Sequence, residues 1–115
     1  MGKYFKSLES DPRHNFLMST PKKGDAIRNA EKAGSVVFLP GSNNRALIIN
    51  AGSHIYLQSY DTIILDYDRE AGTLTKEWND YSVTTLKHVN TFLKIYGGPA
   101  GMNKAAWLAF TGCTV

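Results

Sequence analysis

The sequence predicts an α+β fold: an antiparallel β-meander of about five strands over residues 35–78, packed against a capped amphipathic helix at 82–97, with a short helix ahead of the sheet. Three observations predict it. Between Ser35 and Trp78, short runs rich in β-branched and aromatic residues alternate with glycine, asparagine and proline turn chemistry. Beyond them, Leu86, Val89, Leu93 and Tyr96 recur at helical spacing with Phe92 beside them. The chain has 115 residues, 43% of them hydrophobic and 20% charged, which is enough apolar material for one core and one domain over 1–115.

Taken in order, residues 1–19 have no clean period and Asp11-Pro12 breaks any helix begun at Lys3, so they are expected to form a loose arm. Thr20-Pro21 reads as a hydroxyl cap followed by proline at the first helical position, and Gly34 as a stop, giving a helix near 21–33. Its apolar set is thin, and Gly24 costs about 1 kcal/mol relative to alanine. The strand runs are 36–39, 46–50, 54–58, 62–67 and 73–78, joined by short connections that make sequence neighbours antiparallel neighbours. In the last run Thr73, Thr75 and Glu77 alternate with Leu74, Lys76 and Trp78, the half-exposed character of an edge strand open to self-association into a dimer. Ser82 is placed to cap the main helix, Tyr81 and Leu86 to staple it, and Gly97-Gly98-Pro99 to end it. In the tail, 104–115, Ala105-Ala106 favours helix and 110–115 favours strand; the tail is expected to pack on the core.

Charge is modest, +3, but uneven: residues 61–80 hold six acids against two bases, whereas 81–115 hold Lys87, Lys94 and Lys104 and no acid. The acidic hairpin reads as a solvated face. No histidine or cysteine pair has metal-ligand spacing, no carboxylate cluster supports a hydrolase, and 97–101 lacks the ending of a phosphate loop, so neither a metal, a cofactor nor an enzyme is expected. No apolar run approaches the roughly 20 residues that span a bilayer, and the N-terminus has no secretory pattern, so a cytoplasmic protein without a membrane partner is expected.

Two phrases carry more specific information: Ser59-Tyr60-Asp61-Thr62, and Tyr81-Ser82-x-Thr84-Thr85-x-Lys87-His88-x-Asn90-x-Phe92-Leu93. Together, over residues 45–96, they resemble the signature of small uncharacterised proteins of tailed bacteriophages and prophages. The resemblance implies a viral origin and an accessory factor in the host bacterial cytoplasm that binds a host protein, monomeric or homodimeric, in the manner of inhibitors of CRISPR effectors and other defences. Packing explains most of the second phrase but not Lys87, His88 and Asn90, which lie on or beside its exposed face. With Tyr60, Thr62 and Lys94 they form the candidate binding surface. The alternative is a nucleic-acid-binding module in which Lys87, Lys94 and Lys104 meet phosphates and Tyr56, Tyr60 or Trp107 stack on bases.

Overall fold

A computed structural model describes residues 11–115. It has an antiparallel six-stranded sheet in sequential order, β1 (Val36–Phe38), β2 (Ala46–Ala51), β3 (His54–Ser59), β4 (Thr62–Asp68), β5 (Thr73–Lys76) and β6 (Gly112–Thr114). Helices α1 (His14–Ser19) and α2 (Pro21–Lys32) precede it, and α3 (Val83–Tyr96) and α4 (Lys104–Ala109) lie between β5 and β6. The α+β meander is thus borne out, with one strand more than expected.

Strand alternation gives the sheet two apolar faces. Leu47, Ile49, Tyr56 and Ile63 pack with Leu17, Ile27 and Ala30 of the N-terminal helices. Ile48, Ile55, Leu57, Ile64 and Leu65 pack with Val89, Phe92, Leu93 and Trp107 of α3 and α4. Ile64 and Leu65 can share a face although adjacent because the register slips there: Leu57 faces Leu65 while Gln58 faces Ile63. This β-bulge shifts the phase of β4 by one residue.

Local chemistry explains most boundaries. Ser82 Oγ accepts the Thr85 N–H at 3.0 Å, and Gly97, at φ 85°, closes α3 with its N–H on Leu93 O. Two-residue turns join β2 to β3 and β3 to β4. The tail, open in sequence between helix and strand, is both. Trp107 of α4 is fully buried, its indole N–H donating to Asp80 O, and β6 pairs with β5. Strand 73–78 is therefore no free edge, because the C-terminal strand occupies it.

The N-terminal expectations need correction. Residues 1–10 of the expected arm lie outside the described residues, but 11–19 are ordered against the sheet: α1 follows Asp11 and Arg13, both buried. Thr20 does not cap α2; its Oγ1 donates to Phe16 O at 2.8 Å and finishes α1 instead. Gly24 has a packing reason, since a Cβ there would lie 2.6 Å from Leu17 O across the α1–α2 contact.

Candidate functional site

The two phrases meet at one end of β3, through residues 26 and 29 positions apart in sequence. Ser59 ends that strand facing α3, with its Oγ 2.9 Å from Thr85 Oγ1 and 2.8 Å from His88 Nδ1. A hydroxyl has one proton and two lone pairs, so Ser59 can serve both neighbours at once. All three residues are buried, at 2%, 5% and 5% exposure. Burial lowers the His88 pKa, and the positive charge of Arg45 lowers it further, so both favour the neutral imidazole.

The next residue turns outward. Tyr60 is the first residue of the β3–β4 turn, at φ 53°, a left-handed conformation rare for a bulky side chain. Its backbone is held from three directions. Its N–H donates to Arg45 O at 2.8 Å, and its carbonyl accepts Gln58 Nε2 at 2.8 Å. Its predecessor Ser59 is fixed by α3. Gln58 is itself anchored, accepting Arg13 Nη1 at 3.0 Å. Arg13 forks onto both Asp11 and Glu31, so all five guanidinium N–H donors find an acceptor. The Tyr60 ring stays half exposed, 6.0 Å from the His88 ring. Beside it runs a groove of about 320 Å³ bordered by Phe38, Asn44, Arg45 and Asp61.

Of the six residues singled out by sequence, the fold brings Tyr60 and His88 together. Thr62 lies across the turn, opposite Ser59. Lys87 is exposed on α3 next to His88. Lys94 is exposed in the last turn, roughly 10 Å further along the axis. Two readings change. His88 does not lie on or beside the exposed face but is a buried residue bonded to Ser59. Asn90 also has a packing reason: its Oδ1 accepts the N–H groups of Gly101 and Met102, and its Nδ2 donates to Met102 O, which pins the α3–α4 connection. Two of the three aromatics named as stacking platforms are unavailable, since Tyr56 and Trp107 are 1% and 0% exposed.

Ser59 and Thr85 stood in the two phrases without being counted in the candidate surface, and Arg45 and the Arg13–Gln58 relay were not singled out at all. The available signal was polarity at inward strand positions, where Gln58 and Ser59 end an otherwise apolar run. The acidic hairpin was also misread in part. Asp66 is buried on the α2 face between His54 Nδ1 at 2.8 Å and Lys23 Nζ at 3.0 Å, and Lys23 also bonds Glu77. Burial alone would lower the Lys23 pKa, but its bonds to Glu77 and Asp66 outweigh this and raise it. Among the described residues, no group of three His, Cys, Asp or Glu side chains is arranged to hold a metal ion, and no helix is long and apolar enough to cross a membrane.

These features define the class as a small α+β domain in which buried polar side chains brace an exposed aromatic turn. The chain belongs to the family of unknown function DUF8033, whose model matches residues 28–108, a span that holds Arg45, Tyr60, Thr85 and His88 but not Arg13. No curated protein and no solved structure matches it.

Proposed function

We propose that this is a phage-encoded accessory protein acting in the host bacterial cytoplasm by binding a host protein, with a defence component such as a CRISPR effector as its target, and that it binds without catalysing a reaction. The phage-like phrases motivate the viral setting. The observation that carries the binding reading is the division of labour at the site. Its hydroxyls and imidazole, the groups that could react, are buried and satisfied by one another, while a tyrosine ring and an arginine face outward. Tyrosine and arginine dominate the energetics of protein interfaces. Tagged protein expressed in a bacterial host, with the co-purifying proteins identified by mass spectrometry, tests the reading; failure to recover any stoichiometric partner counts against it. Phage plating on strains with and without an active CRISPR system tests the target.

The nucleic-acid alternative keeps one supporting observation, the exposed Lys87 and Lys94 on a helix layer without acids. Lys104 is engaged elsewhere, lying 5.0 Å over the Tyr81 ring. A mobility shift that weakens steeply with salt would favour this alternative.

A further inference from the structure

We infer that the exposed ring of Tyr60 is the anchor of the binding surface, and that it seats in an apolar cavity of a folded protein partner whose rim carries a carboxylate opposite Arg45 and a basic group opposite Asp61. The inference rests on the protein-binding reading above and adds the residue and the chemistry of the partner.

The argument begins with the backbone. Tyr60 sits at φ 53°, where glycine would be free of strain and an aromatic residue is not. Strain of this kind persists only where the surroundings over-determine it, and it concentrates at functional positions. Here the surroundings are explicit: the Arg45 carbonyl, the Gln58 amide backed by the Arg13 fork, and Ser59 locked to Thr85 and His88. Both faces of the sheet contribute to holding one turn. Such tethers would be redundant if the ring were packed into the core, but it is 49% exposed, with the His88 ring 6.0 Å away. A turn whose backbone is already fixed surrenders little backbone freedom on binding, which is how preorganisation raises affinity.

The surroundings also select the occupant. Arg45 and Asp61 both border the groove next to the ring, so the rim presents both signs of charge. A phosphate backbone drawn to Arg45 would run against the Asp61 carboxylate. A protein surface of mixed charge can satisfy both. The groove itself, about 320 Å³, has room for a partner side chain beside the ring.

Tyr60→Gly and Tyr60→Asn provide the test, because both residues tolerate positive φ and the tethers are backbone or belong to other residues. The full chain carrying a benzophenone photocrosslinker at position 60, or at the exposed Leu108 of α4 as a control, is irradiated in bacterial host lysate. The expected result is one discrete adduct from position 60 and none from 108, with at least about tenfold weaker capture of that protein by both variants at an undiminished thermal midpoint. Equal capture by both variants and wild type overturns the assignment of Tyr60 while leaving the protein-binding reading intact. No discrete adduct and no captured protein with the wild-type chain sinks both. Salt-sensitive retention of a short single-stranded oligonucleotide by wild type, lost in Tyr60→Gly, overturns the choice of a protein occupant.

Discussion

The two faces of the sheet bury polar groups by different means. Towards α3, Ser59, Thr85 and His88 form a neutral hydrogen-bonded cluster. Towards α1 and α2, burial is ionic: Arg13 with Asp11 and Glu31, and Lys23 with Asp66 and Glu77. Removing one member of a neutral cluster leaves an uncharged polar group unsatisfied, which costs less than leaving a charge unpaired. An ionic one leaves a charge stranded in a poorly solvated place. The same turn is therefore braced by a tolerant support on one side and a brittle one on the other.

The largest expected effect lies on the brittle side. Arg13→Met removes one cation from between two buried carboxylates and should cost about 3–5 kcal/mol in denaturant unfolding. Ser59→Ala takes a hydrogen-bond partner from Thr85 and His88 but strands no charge, and should cost about 1–3 kcal/mol. A reversed order would break the contrast between the faces. Ser82→Ala removes a side-chain cap far simpler than either network and should cost about 1 kcal/mol. Lys94→Ala, on exposed helix surface, should stay within about 0.5 kcal/mol.

Acid should sharpen the comparison further. Burial, then the Arg45 charge, lowers the His88 pKa, so the unfolded chain binds that proton more readily than the folded one. The stability contributed by neutral His88 is whole above the ordinary imidazole value of about 6.5 and declines as pH falls below it. Asp11 behaves differently. Burial pushes its pKa up, but bonds to Arg13 prevail and lower it, so its contribution is present above the ordinary carboxylate value and is lost only in stronger acid. Unfolding followed by circular dichroism from neutral pH downward should thus weaken first through the α3 face. His88→Gln should flatten the slope near pH 6 and leave the acid limb; a slope unchanged in that variant would assign it elsewhere.

Much of the fold was legible because its causes are local. The Ser82 cap, the Gly97 stop and the four-residue rhythm of α3 lie within one stretch, as do the hairpin turns. The parts that were not legible depend on distant partners. Nothing near residue 13 announces that its guanidinium will meet Glu31 and Gln58, so a buried anchor looked like an arm. Likewise β6 is a strand only because β5 offers it an edge. The candidate site was half visible for the same reason. Helical period placed His88 beside the apolar stripe, and only the inward-pointing Ser59 makes that position a buried polar one. Tyr60 was found through its phrase and not through its strain, since a positive φ at tyrosine has no sequence signal.

The sequential order of the strands also bears on how the chain folds. Every pairing from β1 to β5 joins sequence neighbours across a short loop, and hairpins of this kind form in roughly 1–10 μs. The β5–β6 pairing alone spans a long connection, residues 77–111, which holds α3 and α4. Loop-closure entropy makes that the step with the largest penalty. Trp107 travels with this late segment and becomes fully buried on arrival, so in a Trp78→Phe chain its fluorescence offers a clock for the closing of the sheet.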